Sequence, residues 1–197
     1  CQVRFVGLPG VCDRRMKVVI VGAGGLGSYV GAVLAQGGHE VTLVARGEHR
    51  SAIEENGLEV RSHAGDFRVE VGCVGSALEV SEADLAFLVT KTFSLDEVAE
   101  QLSHLADRGA HIVSLLNGVT AVDRMAAHGI PREVLADGVA YMTSFRVAPG
   151  IVERKAAHQR FVLGAGAVPL DRIRDAFAGT LIGVETVDDI RVELWEK

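Results

Sequence analysis

Aromatic residues are scarce, at 5% of the 197 residues with a single tryptophan, which argues against an aromatic-rich β-barrel. Cysteine is nearly absent. Cys1, Cys12 and Cys73 are an odd number without C-x-x-C spacing, so neither a disulfide framework nor a zinc site is expected. That usage suits a reduced, cytoplasmic chain. An excess of basic charge is also missing, with 20 Lys and Arg against 26 Asp and Glu and a net charge of −6. A nucleic-acid footprint would be basic. No apolar run approaches the roughly 18 residues of a membrane span. Glycine is what the chain has in quantity, 23 residues of it, and glycine suits tight turns and close backbone approach. The length exceeds the ~150 residues of a nominal domain, falls short of two, and suffices for a full hydrophobic core.

The first 15 residues open on Cys1, carry no long apolar stretch and make a poor signal peptide. They are expected to be an unstructured extension. From Met16 the pattern alternates between strand and helix. Lys17–Val21 is a short β-branched run of the kind that is buried on both faces. Gly25–Gln36 carries Leu26, Val30 and Leu34 at helical spacing and stops at Gly37-Gly38. Residues 41–45, 83–90 and 111–116 read as further buried strands, and 48–56, 95–106 and 121–127 as helices. Residues 58–62 and 67–71 look like a hairpin. Such alternation implies parallel strands joined by right-handed crossovers. The pattern changes after residue 134, where 134–141, 151–154 and 161–163 suggest an antiparallel section. A helix near 171–178, a strand at 184–186 and a last helix capped by Asp188-Asp189 complete the chain. The fold class expected is therefore α/β, a Rossmann-type doubly wound, mostly parallel sheet with an antiparallel extension. Residues 16–187 would form one dinucleotide-binding domain and 188–197 the start of an interdomain helix.

The strongest motif is Gly22-Ala23-Gly24-Gly25-Leu26-Gly27, a G-x-G-x-x-G that follows the first strand and opens the first helix. Gly22 would allow the tight turn, Gly24 the approach of a pyrophosphate, and Gly27 close packing of helix on strand. The helix N-terminus adds free N–H groups and a positive dipole end. After the second strand, where an acidic residue would accept from a ribose 2′-hydroxyl, the chain has Arg46. A guanidinium pairs instead with a 2′-phosphate, so NADP(H) is expected over NAD(H). Lys91 and Asn117 follow the 83–90 and 111–116 strands, and in open α/β sheets ligands lie at those strand ends. In the last helix Ile190, Leu194 and Lys197 share a face. Lys197 would be costly to bury alone, which leaves two readings, a lysine that serves a substrate carbonyl in a wet cleft or one that simply reaches solvent. The seven histidines show no metal-ligand spacing, and His39 reads as a packing residue at a turn.

Taken together these residues resemble the ketopantoate reductase (2-dehydropantoate 2-reductase) family. The matches are MKVVIVGAGGLGSYVGAVLAQGGHEVTLVARGEH from Met16, VTKTF at 89–93, LLNGVTA at 115–121, PGIV at 149–152 and RVELWEK at 191–197. The resemblance implies NADPH-dependent reduction of a branched 2-oxo acid to its 2-hydroxy acid in pantothenate and coenzyme A biosynthesis. It also implies roles. Gly22, Ala23, Gly24, Gly25, Leu26 and Gly27 would hold the pyrophosphate and Arg46 the 2′-phosphate. Lys91 and Asn117 would contact the cofactor, with Asn117 also near the substrate. Lys197 would bind the substrate carbonyl and act as the catalytic proton donor, and no metal is implied. Met142-Thr143-Ser144 is brought near the cofactor without a specific role.

The family continues past this lysine into a helical C-terminal domain, so the 197 residues alone are expected to bind cofactor weakly and turn over little. The partners expected are a small 2-oxo acid and, as an open alternative to the monomer, a second copy in a homodimer. Neither nucleic acid nor membrane is expected. Two other readings stay open: a reductase of another 2-oxo acid or ketone, and a non-catalytic NADP(H)-binding module that has no need of Lys197.

Overall fold

A computed structural model describes residues 15–155, 159–164 and 168–197. The N-terminal extension up to residue 14, with Cys1 and Cys12, lies outside the described residues, as does His158.

Strand β1 (Lys17–Val21) runs into helix α1 (Gly25–Gln36), then β2 (Glu40–Val44) and α2 (Gly47–Asn56). A hairpin of β3 (Leu58–Ser62) and β4 (Phe67–Val69) follows, then β5 (Gly72–Val74), β6 (Leu85–Leu88), α3 (Leu95–Asp107), β7 (His111–Ser114) and α4 (Ala121–Ala127). The remainder is β8 (Leu135–Tyr141), β9 (Ser144–Ala148), β10 (Ile151–Arg154), β11 (Arg160–Gly164), α5 (Leu170–Ala176), β12 (Gly183–Val187) and α6 (Ile190–Glu196).

Eight strands form the main sheet in the order β12-β11-β8-β7-β6-β1-β2-β5. The six from β8 to β5 are parallel neighbours, β11 is antiparallel to β8, and β12 is parallel to β11. This is the expected doubly wound, mostly parallel sheet with an antiparallel extension. The order reverses at β1, which has β2 on one side and β6 on the other, so the crevice for a ligand opens at the carboxyl ends of those strands. Along β1, Val18 and Ile20 face one apolar layer and Val19 and Val21 the other. Both faces of the sheet are thereby covered, as a parallel sheet requires.

A second sheet, β4-β3-β10-β9, does not follow from the sequence pattern. It packs on the far side of α1, which is why Gly27 to Leu34 are all buried rather than one stripe of that helix. Two strands escape the sequence reading. β5 is only Gly72-Cys73-Val74, parallel to β2 at the sheet edge, so the expected strand 67–71 is in fact β4 followed by a crossing to the other sheet. β9 is Ser144–Ala148, whose apolar Phe145 and Val147 are exposed rather than buried. The last helix is capped as expected, with the Asp189 carboxylate accepting from the Arg191 backbone N–H. No helix among the described residues is long and apolar enough to cross a membrane.

Candidate functional site

The glycine motif lies at the topological switch point, and its glycines carry different burdens. Gly22 has φ +113°, and a Cβ there would lie 2.8 Å from the Thr90 nitrogen, because β1 and β6 leave the sheet side by side. A Cβ on Gly27 would sit 2.0 Å from the Gly22 carbonyl oxygen, so glycine permits the close packing of α1 on the turn. Gly24 is the opposite case. It is extended backbone (φ −78°, ψ −164°), and a Cβ would meet nothing within 4 Å. Gly25 has a role the motif alone does not disclose, since its Cβ would fall 2.3 Å from the Ser144 carbonyl oxygen at the start of β9. Ala23 is buried and donates its N–H to the Val44 carbonyl at 3.3 Å, tying the turn to the end of β2, and Leu26 packs at the rim of the core.

Helix α1 begins without a side-chain cap and without an acidic residue in its first turn. Its first N–H groups and the positive end of its dipole are thus left for an anion. Two hydroxyls beside this turn, Thr90 Oγ1 and Ser144 Oγ, are buried without a hydrogen-bond partner among the described residues. Buried polar groups are seldom left unmade. An unfilled approach at Gly24, a bare helix N-terminus and two orphaned hydroxyls fit a phosphate-bearing, hydroxyl-rich group.

The other expected residues lie along the same carboxyl edge. Arg46, just after β2, is exposed and donates through Nε to the Gly75 carbonyl oxygen at 3.2 Å. Its terminal nitrogens have no partner among the described residues. Lys91 follows β6, with Nζ 5.9 Å from the centre of the exposed Phe93 ring. Asn117 follows β7, and its carbonyl accepts from Thr92 Oγ1 at 3.1 Å, which fastens the β6 and β7 loops together. Lys197 sits beyond α6 with its ammonium 2.8 Å from the Ala140 carbonyl oxygen, at the end of β8. Desolvation there lowers the lysine's pKa from its ordinary 10.5. Leu194 is buried and Ile190 packs where a Cβ on Gly164 would be 2.7 Å away, so the helix phase expected for 190, 194 and 197 holds. The Tyr141 hydroxyl donates to Glu193 at 2.6 Å and pins the same helix to β8. The side chains of Arg46, Lys91, Asn117 and Lys197 share an edge but make no bond to one another.

His49 is a neighbour the motif reading passes over. Its Nδ1 accepts from the Gly150 N–H at 2.9 Å, which fixes the tautomer, so Nε2 carries the proton toward Ser28 Oγ at 3.1 Å. Burial, with the Arg146 charge adding, lowers its pKa. His39 is likewise held neutral, with Nδ1 accepting from Met16 N at 3.2 Å and Nε2 donating to the Ala176 carbonyl at 2.9 Å, in the packing role expected of it. Asp137, in register with the end of β7, takes a hydrogen bond from the Val122 N–H at the start of α4. Burial pushes its carboxyl up to about 6. No local sequence signal marks Asp137 or His49, because each acquires its setting from a distant strand or turn.

An α/β fold of the dinucleotide-binding type, with its ligand crevice at the β1/β6 switch point, is the class these features define. The chain belongs to the family described as ketopantoate reductase PanE/ApbA, whose profile matches residues 18–167. It is 28% identical over 188 residues to 2-dehydropantoate 2-reductase of Pyrococcus abyssi, covering 92% of this chain and 60% of that protein. It is 32% identical over 163 residues to 2-dehydropantoate 2-reductase of Halobacterium salinarum, covering 82% of this chain and 50% of that one. A solved PanE/ApbA family ketopantoate reductase from Ralstonia eutropha superposes with a TM-score of 0.82 at 33% identity, over 91% of this chain and 59% of that one. The chain therefore spans between half and two thirds of the length of these relatives.

Proposed function

We propose that this chain is the cofactor-binding portion of an NADPH-dependent reductase that converts 2-dehydropantoate to pantoate in pantothenate and coenzyme A biosynthesis, in the cytoplasm. What supports this reading is one arrangement. The bare N-terminus of α1, Arg46, Lys91, Asn117 and the ammonium of Lys197 all lie along the carboxyl edge of a sheet in this family.

When bound, the reduced nicotinamide supplies a hydride to the carbonyl carbon of a 2-oxo acid. The residues of the chain do the rest. The amides of the 22–27 turn and the positive end of α1 bind the pyrophosphate. Arg46 binds the 2′-phosphate through its terminal nitrogens, a charge-assisted contact of about 1.5–3 kcal/mol that gives roughly ten- to hundred-fold preference for NADP(H). Lys91 and Asn117 orient the cofactor, and Asn117 also faces the substrate. Lys197 donates a hydrogen bond to the substrate carbonyl oxygen and passes its proton there as negative charge develops. Partial desolvation, which lowers the lysine's pKa, makes that proton easier to release.

The test is NADPH consumption by the whole protein with ketopantoate and with a panel of other 2-oxo acids and ketones. Ketopantoate is expected to be reduced with the highest kcat/KM. A higher value on another acid reassigns the substrate, and no turnover with any of them, alongside intact NADPH binding, makes the protein a binding module. In parallel, Arg46→Ala should lose its NADPH preference over NADH, and an unchanged preference refutes the role of Arg46.

A further inference from the structure

Strand β9 lies against the glycine turn, and the turn that follows it reaches α2. A Cβ on Gly25 would meet the Ser144 carbonyl at 2.3 Å and the Phe145 Cα at 2.8 Å. At the other end, the Gly150 N–H bonds His49 in α2, whose Nε2 meets Ser28 in α1. The first turns of both helices are therefore stitched to the β9–β10 hairpin. Arg146 stands between these two points.

The register decides which way Arg146 leaves the strand. It pairs with Val152, which is fully buried in the layer that contains α1. Residues paired across an antiparallel ladder project to one face, so Arg146 shares the face of Val152 and of Ser144. Phe145, in register with Glu153, takes the outer face and is 49% exposed, and Val147, at the bulge between the Ile151 and Val152 pairs, is 47% exposed. The guanidinium is near enough to His49, three residues beyond Arg46, for its charge to disfavour protonation of that ring.

Arg146 also lacks what most arginines here have. Arg50, Arg61, Arg124 and Arg160, for example, all hold carboxylates, whereas Arg146 has neither an ion pair nor a hydrogen bond among the described residues. Arg46, which donates through Nε to the Gly75 carbonyl, is another guanidinium on this edge without a carboxylate among the described residues. Two guanidinium groups that hold no carboxylate, one on the residue that caps α2 and one on the strand that lies against the α1 turn, make a site for a doubly charged phosphate monoester.

We propose that Arg146 supplies a second guanidinium to the 2′-phosphate of NADP(H), approaching from β9 while Arg46 approaches from β2. The inference rests on the proposed NADP(H) reading, and it makes cofactor choice depend on the second sheet as well as on the doubly wound one.

The experiment measures Kd for NADPH and for NADH by fluorescence titration of the chain, in the wild type, Arg146→Ala, Arg146→Lys, Arg46→Ala and the double alanine variant. Arg146→Ala should weaken NADPH about tenfold and leave NADH within about twofold, as loss of one charge-assisted contact predicts. Arg146→Lys, which keeps the charge and loses the fork, should fall between. The double variant should be weaker for NADPH than either single one. Thermal unfolding checks that each variant is folded, which is expected because Arg146 is exposed and unbonded. Equal loss of NADPH and NADH would overturn the proposal in favour of a pyrophosphate contact, and unchanged NADPH affinity would overturn it outright. A wild-type chain that takes up neither cofactor, or shows no preference between them, defeats the underlying reading before any variant is measured.

Discussion

The ammonium of Lys197 lies 2.8 Å from the carbonyl oxygen of Ala140, so the residue that ends α6 is fastened to the carboxyl end of β8. A single backbone acceptor holds the charged group at the crevice edge, and its other two protons have no partner among the described residues. Lys197→Ala in the whole protein should lower kcat by about 10²- to 10⁴-fold, the usual worth of a positioned proton donor. NADPH affinity should stay within about twofold, because in the proposed mechanism the lysine acts on the substrate rather than on the cofactor. Since desolvation lowers the pKa, the alkaline limb of the wild-type rate profile should have its midpoint below 10.5. Retention of that limb in the variant, or a parallel loss of NADPH binding, argues for another role.

The glycines of the turn should separate into two kinds on substitution by alanine. At Gly27 a Cβ would lie 2.0 Å from the Gly22 carbonyl oxygen, so Gly27→Ala should unfold at a markedly lower temperature. At Gly24 the space is open and the backbone is extended, so Gly24→Ala should melt like the wild type. Its added methyl would stand where a pyrophosphate approaches, and NADPH affinity should drop by about tenfold or more. Unaltered affinity in Gly24→Ala would remove the pyrophosphate from that position.

Asp137 predicts a pH effect whose sign follows from burial. Its folded-state pKa, about 6, is above the ordinary 3.8, so between these values the folded chain binds more protons than the unfolded one. Its contribution to stability therefore falls as pH rises through that window. His39 and His49 act in the opposite sense, because their folded pKa values lie below 6.5. The difference between wild type and Asp137→Asn isolates the carboxyl. The asparagine keeps an acceptor for the Val122 N–H, and the variant should gain stability relative to the wild type as pH passes from 4 to 6. Chemical denaturation at several pH values reads this directly, and a flat difference would show that the carboxyl is not raised.

His49 joins three elements through two hydrogen bonds. His49→Phe would leave the Gly150 N–H and the Ser28 hydroxyl buried and unpaired, at a cost of about 1–3 kcal/mol for each group. At roughly 2–4 °C per kcal/mol for a domain of this size, the melting temperature should fall by several degrees. His49→Gln, which keeps an acceptor and a donor, should recover part of that loss. Equal melting of the phenylalanine variant and the wild type would show that the histidine is not a structural link.

Much of the doubly wound sheet was legible in the order of residues. The stretches Val18–Val21, Leu85–Leu88 and Ile112-Val113 are continuous apolar runs because both faces of a parallel sheet are covered. The Gly22-Ala23-Gly24-Gly25-Leu26-Gly27 motif between strand and helix identifies the switch point, and Arg46, Lys91 and Asn117 follow strand ends that topology places on one edge. The periodicity of Ile190, Leu194 and Lys197 in α6 also survives, because helix phase is a local property.

What the order of residues left undecided depends on partners far away in the chain. β5 is short and β9 exposes its apolar residues, and they become strands because β2 and β10 offer them hydrogen bonds. Gly25 is required by Ser144, 119 positions later, and His49 by Gly150, 101 positions later. Asp137 and Lys197 have ordinary local sequences, and desolvation in the folded chain is the largest cause of their shifted protonation. Local propensity and periodicity specify which segments are helices and strands and where the glycine turn lies. Long-range packing decides which buried polar groups find partners, which do not, and hence which side chains remain free to meet a ligand.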